Sequence, residues 1–115
     1  MRIEIELMRG AGPVAILKLL ERGEMYGYEI VEALAQRSDG LLTMGQSTLY
    51  PMLYNLEAKD LIASRWDDTE GRPRKYYRLT AKGKKKLAEA TKEWRGIAKA
   101  MSALGVLTHG TVAGA

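Results

Sequence analysis

The chain has 115 residues, a hydrophobic fraction of 46%, no cysteine and a formal net charge of +4. This suits one domain with a small core, and it excludes disulfides, thiolate metal sites and any apolar run long enough to span a membrane. The only histidine, His109, lies in a Gly/Thr/Ala tail and no secretory signal opens the chain, so a cytoplasmic protein without metal or cofactor is expected.

In chain order, Ile3, Ile5 and Leu7 alternate with Glu4 and Glu6, the pattern of an extended N-terminal arm or strand. PVAILKLLERG then reads as a short buried helix, with Pro13 in its first turn and Gly23 at its end. YGYEIVEALAQRSDG spaces Gly27, Ile30, Val31 and Leu34 for a second helix, which stops at the turn signal Ser38-Asp39-Gly40. QSTLYPMLYNLEAKDLI carries Leu49, Met52, Leu53 and Leu56 at helical spacing. Its opposite face is almost uncharged: Gln46, Ser47, Thr48, Tyr50, Tyr54 and Asn55. Pro51 fits that helix if it begins near Ser47 or Thr48, and kinks it if it begins earlier.

LIASRW and RKYYRL read as two strands joined by a turn through DDTEGRP, in which Gly71 permits the tight bend and Pro73 stiffens the arm. Arg72, Arg74 and Lys75 cluster on that arm, whereas Trp66 reads as structural packing. Thr80 is a good N-cap for a long helix over 81–104, followed by a loose tail over 105–115. Along the long helix Leu87, Ala90, Trp94, Ile97, Met101 and Leu104 repeat as an a/d stripe, and at ~36 Å it is longer than a small domain needs to cover itself. This favours a homodimer joined through that stripe, with the N-terminal arm packing on the same seam. Trp94, supported by Ile97, is then either core or the wall of a site for a small aromatic effector.

The fold class that follows is mainly α with a small β-hairpin: a winged helix-turn-helix over 1–80 and a C-terminal dimerisation helix over 81–104. In that arrangement the uncharged helix face is a recognition surface, because Gln, Asn, Ser and Thr can pair with base edges that would repel carboxylates. Charge is distributed accordingly. Residues 1–71 carry a net charge of −5 and residues 72–95 a net charge of +8, an asymmetry that fits a polyanionic partner such as double-stranded DNA. Enzymatic chemistry lacks an inventory, with no thiol, no phosphate loop and no carboxylate cluster. A winged helix serving as a protein–protein module is the alternative.

The stretches YGYEI (26–30), STLYPMLYNLE (47–57), DLI (60–62) and EGRPRKYYRLTAKG (70–83) resemble the PadR family of bacterial transcriptional regulators. The resemblance covers most of the chain, and its single C-terminal helix is similar to the short branch of that family. It implies a dimeric winged-helix DNA-binding protein, most often a repressor, and in several members a response to small aromatic compounds. By matched position it implies Tyr28, Ser47, Thr48 and Tyr50 at the DNA surface and Arg72, Arg74 and Lys75 on the wing. Two departures stand out. Tyr26 replaces a frequent histidine, and Gln46-Ser47 replaces a frequent proline-glycine, so the family's base preference does not carry over.

Overall fold

The computed structural model describes residues 3–107; His109 and most of the tail lie outside them. Four helices and three strands follow in the order α1 (Ile5–Leu20), β1 (Met25–Tyr26), α2 (Gly27–Arg37), α3 (Gln46–Ala58), β2 (Ile62–Asp67), β3 (Arg74–Leu79) and α4 (Ala81–Leu104). The expected hairpin gains a third strand. β1 pairs antiparallel with β3 (Met25 opposite Tyr77, Tyr26 opposite Tyr76), so β3 is central and β2, the other partner, lies at one edge. Two residues are too short for an alternation to announce a strand.

The N-terminal arm is a correction. Residues from Ile5 onward are helical, so Ile3, Ile5 and Leu7 do not form a strand. The period that decides is Met8, Gly12 and Ile16, spaced by four and all buried, whereas Ile5 and Leu7 are exposed. Pro13 is therefore inside α1 and not in its first turn. Pro51 is likewise interior, because α3 already begins at Gln46. Each ring removes the amide that would bond the carbonyl four residues earlier, Arg9 and Ser47 respectively, yet both helices run on unbroken.

One core holds these elements together. Ile16, Leu17, Ile30, Leu49, Leu53 and Ile62 are fully buried, and α1 packs against α2, α3 and α4 at once. Leu49, Leu53 and Leu56 seat α3, which leaves its uncharged face outward.

The close of α3, the start of β2 and the start of α4 meet at one knot. Asp60 adopts φ +61°, and the Leu61 amide returns to the Leu56 carbonyl at 3.0 Å, a left-handed helix stop. The Thr80 hydroxyl donates to the Asp60 carbonyl at 2.7 Å and accepts from the Gly83 amide at 2.9 Å, the N-cap that the sequence implied. The Thr80 amide itself donates to the Leu61 carbonyl at 3.2 Å. Gly83 is buried beneath this knot, where an added Cβ would collide with the Leu61 carbonyl oxygen and lie 2.8 Å from Leu79 Cδ1.

Gly83→Ala should destabilise the fold by about 1–3 kcal/mol, since the obstructing atom is backbone. Gly96→Ala, on the same helix with nothing within 4 Å, should stabilise it by about 1 kcal/mol. Chemical denaturation of the two variants measures both signs.

Candidate nucleic-acid interface

Outward from the core, α3 presents three strips. Ser47, Pro51, Tyr54 and Asn55 face solvent, and Tyr54 is 74% exposed. Gln46 and Tyr50 face the hairpin side, where they line a groove of about 790 Å³ together with Tyr28, Trp66, Arg72, Arg74 and Lys75. Thr48, half-buried, turns toward α1 with Met52. Six of the nine residues singled out on α2, α3 and the hairpin therefore line one groove, while Ser47, Thr48 and Asn55 border its neighbour along the other flank of α3. The first turn of α3 contains no acidic residue and Gly45 supplies no side-chain cap, so the positive end of the helix is not neutralised there.

Tyr50 reaches this position because α2 begins with glycine. A Cβ at Gly27 would overlap the Tyr50 hydroxyl, so any larger residue displaces the ring that links α2 to α3.

The three hairpin cations differ in how they are held. Lys75 lies 3.8 Å from the Glu57 carboxylate and over the Trp66 and Tyr77 rings, at 5.9 and 5.7 Å from the centroids. Arg74 stacks 4.6 Å above the Tyr26 ring and lies 3.5 Å from Glu70; its pKa is raised, chiefly by its hydrogen bond to Tyr76. Among the described residues Arg72 forms no ion pair, and it is exposed. Trp66 is the correction on this arm. It is 67% exposed and lines the groove, not the core. The register explains why. Trp66 shares a strand face with Ile62 and Ser64, but it lies beyond the end of the core that Ile62 fills. Its neighbourhood to Arg72–Lys75 in the hairpin was the available signal.

On the other face of the sheet, side chains form a ladder. Glu24 pairs with Arg65, Arg65 lies 5.1 Å from the Tyr76 centroid, and Tyr76 meets Tyr26 edge-on at 5.5 Å. Tyr26 ends the ladder beneath Arg74 and, through its amide, bonds Glu29 Oε1 at 3.0 Å. The residue that departs from the frequent histidine thus ties the start of α2 to the hairpin arm. Asp67 closes the arm: its pKa falls to about 2 because the Thr69 amide and hydroxyl donate to it and Arg65 lies alongside. The Tyr28 hydroxyl is pushed upward by its hydrogen bond to the Glu32 carboxylate.

The proposed seam on α4 divides in two. Leu87 and Ala90 are each only 4% exposed within the single chain, so they belong to its core and are not a surface for a partner. The a/d pattern is indifferent to this, since the same spacing covers α1 as readily as a second copy. Trp94, Ile97 and Leu104 are exposed, at 41%, 47% and 76%, and Met101 is half-buried. Trp94 lines an apolar groove of about 420 Å³ with Ala11, Val14 and Ala15 of α1; Ile97 does not line it. Among the described residues no group of His, Cys, Asp or Glu could hold a metal, and no helix is long and apolar enough to cross a membrane.

Comparison with known proteins supplies the remaining context. The model of the transcriptional regulator PadR-like family matches residues 16–89. A transcriptional regulator of Mycobacterium tuberculosis is 32% identical over 84 residues, covering 73% of this chain and 76% of the relative. The crystal structure of a PadR family transcriptional regulator from Eggerthella lenta superposes with a TM-score of 0.77 at 36% identity, covering 87% of this chain and 86% of the other. A transcriptional regulator from Clostridium thermocellum gives a TM-score of 0.79 at 33% identity, covering 84% and 95%.

The Asp67 turn provides a pH test. Its pKa in the fold lies below the ordinary value of 3.8, so the stabilisation is full above about pH 4 and is lost as pH falls toward 2. The Thr69 amide resonance should shift and lose protection from exchange across that window, and Asp67→Asn should remove the dependence.

Proposed function

Since the chain belongs to the PadR-like family of transcriptional regulators, and is accordingly a DNA-binding regulator of transcription and not an enzyme, we propose that it acts as a homodimeric repressor reading an inverted repeat. The observation that carries this reading is electrostatic. Of the fourteen acidic residues, none lines either groove beside α3, whereas Arg9, Lys59, Arg72, Arg74 and Lys75 do. A polyanionic partner accounts for that sorting of charge.

In this proposal α3 lies in the major groove. Ser47, Asn55 and Gln46 offer donors and acceptors to base edges, with Thr48 at the flank. Tyr28 and Tyr50 serve phosphates. Arg72, Arg74 and Lys75 follow the adjacent backbone or enter the minor groove, with Arg72 free to do so at once and the other two held in position by Tyr26 and Trp66. Tyr54 and Trp66, exposed on the same surface, join the contact set.

The dimer in this proposal uses Trp94, Ile97, Met101 and Leu104 of α4, joined by Leu7, which is exposed on α1. The division of labour then falls within α4: its opening turns belong to the DNA-binding head, and the arm begins beyond Ala90. A two-fold axis through that arm sets two α3 helices about 34 Å apart, on successive turns of one face of the duplex. A small aromatic effector in the Trp94 groove would act by changing that spacing; the apolar lining favours such a ligand.

Selection of genomic fragments by the purified protein should recover an inverted repeat, with log affinity falling linearly against log salt. Arg72→Ala should flatten that line by about 1.8 units for a dimer, one phosphate contact per protomer. Unchanged slope would remove Arg72 from the interface. Ile97→Glu with Leu104→Glu, at positions exposed in the single chain, should give a folded monomer in sedimentation and abolish binding to the full repeat.

A further inference from the structure

We propose that Arg9 and Lys59 form a second phosphate clamp, on the side of α3 remote from the hairpin; the proposal rests on the DNA-binding reading above. α3 lies between two grooves. The first holds the hairpin cations. The second, about 540 Å³, runs between α1 and α3 and is lined by Ser47, Thr48, Pro51 and Asn55 from α3, by Lys59 just past its end, and by Ile5, Arg9 and Pro13 from α1. No carboxylate lines it.

The dimensions of the duplex call for such a clamp. A helix with its side chains is about 10–12 Å across and the major groove is about 12 Å wide, so both sugar–phosphate walls lie within reach of cations flanking the helix. The hairpin can serve only one wall. Along α3, Thr48, Met52, Asn55 and Lys59 form the strip facing α1, spaced by three and four. Along α1, Ile5, Arg9 and Pro13 form the strip facing back, spaced by four. The two cations therefore meet across the groove from different elements, with the donors of Ser47, Thr48 and Asn55 between them.

Both are exposed, and among the described residues neither forms an ion pair, unlike Arg65, Arg74 and Lys75. Lys59 could simply complement the negative end of α3. Arg9 has no such role, for it sits in the first half of α1. The strip is bounded: Glu4 lines the adjoining hollow under the start of α3, and Asp60 follows Lys59 without entering the groove. The clamp thus touches the backbone near the middle and end of α3 and leaves its first turn to the bases.

The test is the salt dependence of binding to the selected operator by full-length wild type, Arg9→Ala/Lys59→Ala, Arg9→Lys/Lys59→Arg, and a remote control, Arg22→Ala/Arg37→Ala. The alanine pair should flatten the log–log slope by about 3.6 units for a dimer and weaken binding at least tenfold near physiological salt, with the selected sequence unchanged. The charge-conserving pair and the remote control should keep the wild-type slope. Equal thermal unfolding of all four excludes a stability effect. A wild-type slope in the alanine pair overturns the clamp while leaving the DNA reading intact. A changed sequence preference overturns it too, since phosphate contacts carry none. Absence of steep, sequence-specific binding in the wild type itself overturns the DNA reading and the clamp with it.

Discussion

The Thr80 hydroxyl ties the end of α3 to the start of α4. It bonds the Asp60 carbonyl where α3 has just ended and receives the Gly83 amide where α4 begins. The left-handed turn at Asp60 and the missing side chain at Gly83 allow the two helices to close on each other at the root of the hairpin. Leu61 and Leu87 then fill the core on either side of the knot. Remove the hydroxyl and the buried stripe of α3 still wants to be inside, but the direction of the hairpin relative to that helix is no longer set. In a recognition surface built from one helix and one arm, that direction determines whether both can reach the same duplex.

The charges near the hairpin are organised more by orientation than by strength. Glu57 holds Lys75, Glu70 approaches Arg74, and Glu24 and Asp67 flank Arg65. These pairs are largely exposed, and exposed pairs contribute about 0–1 kcal/mol each. Their consequence is geometric. The carboxylates of Glu57 and Glu70 and the rings of Tyr26, Trp66 and Tyr77 fix where Lys75 and Arg74 rest. Residues 1–71 are net acidic, yet no carboxylate lines either of the two grooves that flank α3.

α4 joins two tasks with one periodicity. Its early turns bury Gly83, Leu87 and Ala90 against the head, and its later turns carry Trp94, Ile97 and Leu104 into solvent. A rigid helix with one end in the core transmits any rearrangement at its far end to the knot at Thr80, and so to α3 and the hairpin. This mechanical continuity lets a dimer seam and a ligand beside Trp94 bear on DNA spacing in the function proposed.

Local chemistry made much of this legible in the sequence. The N-cap at Thr80, the bounds of α4, the strand RKYYRL, the buried stripe of α3 and its uncharged face are all set by neighbours within a turn or a pleat, and the element order gave the winged helix. What the sequence misread depends on which distant surface an apolar residue meets. Ile5 and Leu7, which alternate with Ile3 in the sequence, became the exposed edge of a helix because Met8, Gly12 and Ile16 had a core to enter. Trp66 looked like packing but lies past the point where the core ends. Leu87 and Ala90 share a heptad with Trp94, and only packing within the chain separates the buried half of that stripe from the exposed half. The groove that brings Arg9 beside Lys59 has no trace in the sequence, since fifty residues part them and neither belongs to a motif. Periodicity fixes which residues share a face; only tertiary packing decides what that face looks at.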